Sequence, residues 1–154
     1  MKLVGKALEV CSQYYDGKTM LHASRVANYV LSNPLVRDNL EELCLIVALL
    51  HDVVEDTDYT LEQLKEDFSL KSFTWFGKDP GILIANTVDI VTKRENEKYT
   101  DYIIRVKEAA ISNNIEGEAA YWVKVADMKD HLSLTDTLTD KRKEKYLAGL
   151  AILL

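Results

Sequence analysis

The chain is short of the residues that break helices or cross-link a fold. Its 154 residues include two prolines, six glycines and two cysteines. So few prolines and glycines leave long stretches without a helix breaker. Two cysteines without a C-x-x-C pair argue against a disulfide framework or a cysteine-rich metal site. Cys11 and Cys44 each lie in a helical apolar pattern, which predicts buried, reduced thiols.

Positive charge and long apolar runs are also scarce. The chain has 19 lysines and arginines and 25 aspartates and glutamates, which gives a net charge of −6. This balance argues against non-specific nucleic-acid binding, which needs cations opposite the phosphates. It is compatible with a small phosphorylated ligand, because a bound metal can reverse the local field. No apolar run reaches about 18 residues and the N-terminus has no apolar signal core, so we expect no membrane contact and a cytoplasmic protein.

What the sequence does contain is helical periodicity. Apolar residues at three- and four-residue spacing predict helices at about 2–15, 19–33, 41–54, 60–68, 80–91, 100–112, 117–132 and 138–153. A strand over Leu43–Leu50 is the alternative for the third segment, but no alternation supports it. Residues 69–78 are expected to form a loop whose aromatics, Phe73, Trp75 and Phe76, fold back onto the core. Without βαβ alternation, the pattern predicts an all-α bundle of about seven to eight helices, in one domain over residues 1–154.

The segment His51-Asp52-Val53-Val54-Glu55-Asp56 follows directly on the apolar run Leu43–Leu50. Positions four apart share a helix face, so we expect His51 above Glu55 and Asp52 above Asp56. Charged groups rarely accompany a buried segment unless they are paired or bind a cation. Alone, the segment also fits an exposed acidic helix end with a half-buried histidine.

Two further residues extend this cluster of metal-ligand types. His22 precedes Val26 and Ala27 on the second predicted helix, and Asp127 stands among apolar residues in Lys124-Val125-Ala126-Asp127. Imidazole and carboxylate groups that converge from rigid elements are the donors a divalent metal needs. Considered alone, His22 is equally explained as a half-buried or capping histidine. Asp127 is equally explained as an ion-paired aspartate.

In this order the segments resemble the HD-domain metal-dependent phosphohydrolases. H-x-x-x-V-A begins at His22, H-D-x-V-E-D-T begins at His51, V-x-x-V-T-K ends at Lys93 and K-V-A-D ends at Asp127. Within that superfamily the pattern most resembles the RelA/SpoT hydrolase domain in its small stand-alone form, over roughly residues 7 to 135. Those enzymes remove pyrophosphate from the 3′ position of guanosine tetra- and pentaphosphate.

The resemblance implies a set of roles. One divalent ion, commonly manganese, would be held by His22, His51, Asp52 and Asp127. Such an ion acts as a Lewis acid and lowers the pKa of its water. The groups that orient that water or carry its proton would be Glu55 and Asp56. Contacts to a small phosphorylated nucleotide are expected from Lys18, Thr92, Lys93, Arg94, Lys124 and His131. The alternative for Lys124 is an ion pair. The alternative for Thr92 is a structural role at a helix end.

Two positions depart from the family pattern. The basic pair and P-Y before the first histidine are missing, which leaves Lys18 as the only cation there and Tyr14 or Tyr15 to stack on a base. His131 replaces an asparagine four residues after Asp127. It shares a helix face with Asp127, so it contacts substrate, supports the metal shell or faces solvent.

Other outcomes stay open at this point. The sequence has no synthetase or regulatory segment, so any activity is expected to be hydrolytic only. Another nucleotide or phosphate-monoester phosphohydrolase is the first alternative, and a non-catalytic helical binding module is the second. We expect Leu147–Leu154 to pack on the core, with a homodimer contact as the alternative.

Overall fold

The backbone is helical almost throughout the residues that the computed structural model describes, which are 2–112, 114–134 and 136–154. They form α1 (Lys2–Tyr14), α2 (Gly17–Leu31), α3 (Glu41–Leu50), α4 (Val53–Asp56), α5 (Leu61–Asp67), α6 (Pro80–Val91), α7 (Tyr99–Ile111), α8 (Ile115–Ser133) and α9 (Asp140–Leu153), with a 3₁₀ turn at Asp38–Leu40. Over these residues there are thus eight helices of seven or more residues, plus the one-turn α4. The all-α prediction is confirmed.

Side-chain caps fix where several helices begin. Asp16 accepts a hydrogen bond from the Thr19 amide, so α2 starts earlier than the periodicity suggested. At α5, Thr60 and Gln63 form the reciprocal capping box that their spacing predicts. Asp79 accepts from the first amides of α6, whose first residue is a proline.

The third predicted helix is not continuous. It ends at Leu50, and His51 and Asp52 form a turn before α4 begins at Val53. The expectation of a single helix to about residue 54 is therefore wrong. His51 is buried, whereas Glu55 and Asp56 are both exposed, so the motif divides between interior and surface.

Among the residues that the structure describes, two apolar clusters make up the core, and α8 contributes to both. The larger surrounds α3, whose residues Leu43, Cys44, Ile46, Val47, Ala48, Leu49 and Leu50 are all buried. The smaller joins α7, α8 and α9 through Tyr102, Ile103, Val106, Val125, Met128 and Leu153. Because α8 packs against α2, α3, α6, α7 and α9, a side chain near its middle can reach several other elements.

Several local expectations can be compared with the structure. Trp75 and Phe76 pack against the larger cluster, but Phe73 is 50% exposed, so its predicted return to the core is wrong. Cys11 and Cys44 are buried free thiols, as predicted. At the C-terminus Leu153 packs in the smaller cluster, as expected, although Leu147 is exposed. Within the described ranges no helix combines the length and apolarity needed to cross a bilayer.

Candidate metal and substrate site

Four predicted donors meet where α2, the end of α3 and α8 converge. The Nε2 atoms of His22 and His51 lie 3.3 Å apart. Asp127 Oδ1 is 3.0 Å from His22 Nε2 and 3.5 Å from His51 Nε2. Asp52 Oδ2 is 3.3 Å from His51 Nε2 and 3.6 Å from His22 Nε2. The structure thus brings together residues that are far apart in sequence.

Both imidazoles are held by their other ring nitrogen. His22 Nδ1 lies 2.6 Å from Asp130 Oδ2, and His51 Nδ1 lies 2.7 Å from the carbonyl oxygen of Ala48. Each of these partners accepts hydrogen bonds, so each Nδ1 donates and Nε2 faces the cluster, where it can bind a metal once it has lost its own proton. A histidine anchored in this way is the usual arrangement at a metal site, where the anchor fixes both tautomer and ring orientation.

The negative charge of the cluster also favours a bound cation. Burial lowers the pKa of His51, but the Asp52 charge and the hydrogen bond with Asp127 outweigh it and raise that pKa to about 9. Burial likewise lowers the pKa of His22, and the hydrogen bond with Asp127 reverses the direction. Buried imidazoles normally resist protonation, so two raised pKa values indicate local excess negative charge. The donor types, their spacing and this charge fit one divalent ion.

The second oxygen of Asp127 faces a lysine. Lys124 Nζ lies 2.7 Å from Asp127 Oδ2, and both side chains are buried. Burial raises the pKa of Asp127, but the Lys124 charge and the hydrogen bonds from the histidines hold it well below its ordinary value. Lys124 also lies over the ring of Tyr102, 4.8 Å from its centroid. Asp127 therefore presents one oxygen to the imidazoles and the other to Lys124.

The two proposed water-handling carboxylates lie at the edge of the cluster. Glu55 accepts a hydrogen bond from the Lys93 amide at 3.0 Å, which ties α4 to the segment after α6. Burial and the charges of Asp52 and Glu55 raise the pKa of Asp56 to about 6. A bound cation would lower this pKa, because it favours the carboxylate.

A cavity of about 120 Å³ opens beside the donors. Its wall consists of His51, Asp52, Glu55, Val91, Lys93, Tyr99, Tyr102, Lys124, Asp127, His131, Lys145 and Tyr146. Lys93, Lys124 and His131, all predicted substrate contacts, are among them. His131 is not a solvent-facing residue, since its Nε2 lies 3.2 Å from Asp127 Oδ1.

The other three predicted substrate contacts lie outside this wall. Lys18 is exposed in the first turn of α2. The Thr92 hydroxyl, directly after α6, donates to the Val88 carbonyl of that helix at 2.8 Å. Arg94 forms an ion pair with Asp89.

Several bacterial enzymes share parts of this sequence. No family model matches the chain. It is 41% identical over 61 residues to the guanosine-3′,5′-bis(diphosphate) 3′-pyrophosphohydrolase of Haemophilus influenzae, covering 40% of this chain and 7% of that protein. It is 36% identical over 95 residues to a probable GTP pyrophosphokinase of Mycobacterium leprae, covering 60% and 10%. The match to the GTP pyrophosphokinase of Streptomyces coelicolor is 27% over 153 residues, covering 96% and 15%. The chain thus spans a small part of these much longer relatives, all named as enzymes.

A solved structure matches over most of both chains. It is described by the words "A metazoan ortholog of SpoT hydrolyzes ppGpp and plays a role in starvation responses". The superposition has a TM-score of 0.63 at 22% identity and covers 96% of this chain and 83% of that one. The chain resembles the RelA/SpoT-type HD hydrolase domain. The sequence matches above 30% identity cover 40% and 60% of this chain, while the shared fold extends over nearly all of it.

Asp130 was missed by reasoning from the RelA/SpoT-type pattern. It is completely buried, contacts His22 Nδ1 and accepts two hydrogen bonds from Arg25 at 2.7 and 3.1 Å. Its spacing was a usable signal, because Asp130 follows Asp127 by three residues and Arg25 follows His22 by three, which places each pair on one helix face.

Tyr99, Tyr102, Lys145 and Tyr146 were also missed as cavity residues. Lys145 Nζ lies over the ring of Tyr99, 4.3 Å from its centroid. Lys145 and Tyr146 reach the cavity only because α9 packs on α7 and α8. No local sequence signal indicates that packing.

Proposed function

We propose that this protein is a metal-dependent phosphohydrolase that removes the 3′-pyrophosphate from guanosine tetra- and pentaphosphate. The observation that carries the proposal is the convergence of two anchored imidazoles and two carboxylates beside a cavity whose wall includes His51, Asp52, Asp127 and three lysines. The similarity to a named 3′-pyrophosphohydrolase supports the choice of substrate.

The metal would be held by His22, His51, Asp52 and Asp127, and manganese is the ion we propose. When bound, a divalent ion supplies Lewis acidity, which stabilises charge on a phosphate oxygen and makes a water more acidic. Asp130 and the Ala48 carbonyl keep the two imidazoles in the ligating tautomer.

The remaining residues have distinct tasks. Glu55 lies on the cavity wall and would orient the attacking water, with Asp56 beside it as a second group able to carry a proton. Lys93, Lys124 and Lys145 would offset the charge of the phosphates. Lys18, Thr92 and Arg94 stay predicted contacts for parts of the substrate outside the cavity.

A second candidate, hydrolysis of another nucleotide or phosphate monoester, is favoured by the size of the cavity. At about 120 Å³ it is well below the roughly 300–1,000 Å³ of typical ligand pockets. Lys18, the only cation in the segment before His22, is exposed and does not line the cavity. Such a site suits a single phosphate group.

The two functions differ in their products. We expect the protein with Mn²⁺ to convert guanosine tetraphosphate into guanosine diphosphate and intact pyrophosphate, separated by anion-exchange chromatography. Asp52→Asn and Asp127→Asn should reduce kcat/KM at least about 100-fold, because each removes a charged donor. Asp38→Asn, at an exposed carboxylate away from the cavity, is the matched control and should retain activity.

Other results would point elsewhere. Release of orthophosphate from mononucleotides, without pyrophosphate release from guanosine tetraphosphate, would support the second candidate. Metal binding without turnover of any phosphorylated nucleotide would contradict both and support a non-catalytic helical module.

A further inference from the structure

We propose that His131 is a fifth donor to the metal centre, which would then contain three imidazoles and two carboxylates. This inference rests on the proposed metal-dependent function and extends it. It concerns which metal the site prefers and how many positions remain for water and substrate.

The position of the His131 ring is the first observation. His131 lies one helical turn after Asp127 on α8, and its Nε2 is 3.2 Å from Asp127 Oδ1. His22 Nε2 approaches the same oxygen at 3.0 Å. Two imidazole nitrogens from different helices therefore lie within ordinary ligand-to-ligand distance of one carboxylate oxygen, as donors around one ion do.

The donors also divide into two overlapping groups. His22, His51 and Asp52 form one, and His22, Asp127 and His131 form the other, with the donor atoms of each within 4.8 Å of one another. His22 belongs to both groups, and its Nε2 has a single lone pair, so it can bind only one ion. One ion shared by both groups would have all five residues as donors.

The plane of the His131 ring is fixed by packing. The ring lies flat on Tyr146, with centroids 4.6 Å apart and an interplanar angle of 4°. The His131 ring also lies beside the His22 ring, with 4.7 Å between the two centroids. Its side chain is only 34% exposed. A ring held in this way pays little further entropy on binding a cation, which favours ligation over a loosely placed polar contact.

The chemical consequence is a shift in metal preference. Imidazole donors suit zinc, iron and nickel, whereas carboxylate and water suit manganese and magnesium. The RelA/SpoT-type pattern has an asparagine where this chain has His131, and a carboxamide is a harder and weaker donor. We therefore expect this protein to favour Zn²⁺ over Mn²⁺ more strongly than its His131→Asn variant does.

The test counts histidine nitrogens on a bound ion directly. In pulsed electron paramagnetic resonance of the Mn²⁺-loaded protein, we expect ¹⁴N couplings from three imidazoles in the wild type and from two in His131→Asn. His51→Ala is the positive control, because it removes one predicted ligand and should also leave two. In metal competition, the ratio of Zn²⁺ to Mn²⁺ affinity should fall at least tenfold in His131→Asn, and His131→Ala should reproduce the effect.

The alternative is that His131 only donates a hydrogen bond to Asp127. Two couplings in the wild type, unchanged in His131→Asn, together with an unchanged affinity ratio, would overturn this inference and leave the proposed function intact. A wild type that binds neither Mn²⁺ nor Zn²⁺ would overturn the metal centre, and with it the proposed function. Circular dichroism of the metal-free variants checks that all are folded.

Discussion

Asp130 does not line the cavity, yet it fixes the orientation of the His22 ring. Its carboxylate is fully buried and bridges His22 Nδ1 and the Arg25 guanidinium. Burial raises the pKa of Asp130, but the hydrogen bonds from Arg25 and His22 outweigh it, so the pKa is lowered and the group stays charged. A charged acceptor on Nδ1 increases the basicity of Nε2, the atom directed at the proposed metal.

Replacing Asp130 should therefore weaken metal binding without removing a metal donor. We expect Asp130→Asn to lower Mn²⁺ affinity by about 10- to 100-fold, the usual effect of losing a partner of a ligating histidine. Isothermal titration calorimetry measures this directly. Asp38→Asn should match the wild type. An unchanged affinity in Asp130→Asn would mean that the ring is held by packing alone.

The sequence was sufficient to predict four residues that meet in the fold but not the group that orients His22. His22, His51, Asp52 and Asp127 could be predicted because few residue types bind divalent metals and their order follows a known pattern. Asp130 has no such chemical signature, since a buried carboxylate in a helix is also the ordinary partner of an arginine. Its role depends on which ring nitrogen it meets, and that is a property of the packing of α2 against α8.

At the level of elements, the crossing of α7 and α8 depends on a glycine. A Cβ at Gly117 would overlap the carbonyl oxygen of Ala109, which is backbone and cannot move alone. By contrast, a Cβ at Gly5 in α1 would meet nothing within 4 Å. The same substitution should therefore have opposite effects at the two positions.

We expect Gly117→Ala to destabilise the protein by roughly 1–3 kcal/mol, because the helices must separate to admit the methyl group. Gly5→Ala should stabilise it by about 0.5–1 kcal/mol, because alanine loses less backbone entropy in a helix. Urea denaturation followed by circular dichroism gives both values. Equal effects from the two substitutions would contradict the close approach of α7 and α8.

The connection between α6 and α7 is stabilised by a charge pair that should make it sensitive to acid. Glu97 accepts hydrogen bonds from Arg105 at 2.8 and 3.0 Å, and Arg105 also donates to the carbonyls of Ile90 and Thr92. The hydrogen bond from Arg105 lowers the pKa of Glu97 to about 2. In the unfolded chain the pKa is near the ordinary value of about 4.3.

A lowered folded-state pKa contributes stability above the unfolded pKa, and this contribution is lost as the pH falls toward the folded pKa. Glu97→Gln should therefore be less stable than the wild type at pH 7, by an amount on the order of 2 kcal/mol. The difference should shrink between about pH 5 and pH 2. Thermal unfolding of both proteins over this range measures it. A difference that does not depend on pH would rule out the ion pair as its source.

Element boundaries show where local patterns stop being informative. Capping side chains predicted the starts of α5 and α6 because a cap acts within four residues of itself. The break after α3 was not predicted, because the apolar run continues through Leu50 and Val53 and the periodicity does not change there. His51 leaves the helix where its Nε2 meets residues from α2 and α8, which are tertiary contacts.

On the scale of the whole molecule, the donor cluster joins the two parts of the core. His22 and His51 come from helices that pack in the larger cluster, and Asp127 lies on α8, which contributes to both clusters. The cavity wall is completed by α7 and α9 from the smaller cluster. An ion held by these residues would join α2, the end of α3 and α8 at one point, so its binding should stabilise the entire fold.

Metal should therefore raise the unfolding temperature. At a free Mn²⁺ concentration 100 times the dissociation constant, mass action adds about 2.7 kcal/mol to the free energy of unfolding. For a chain of this size, that corresponds to an increase in Tm of roughly 5–10 °C. Differential scanning calorimetry with Mn²⁺, and after its removal with a chelator, measures the shift. His51→Ala, which lacks one donor, should show a much smaller increase. Equal shifts in the two proteins would place the bound metal somewhere other than this cluster.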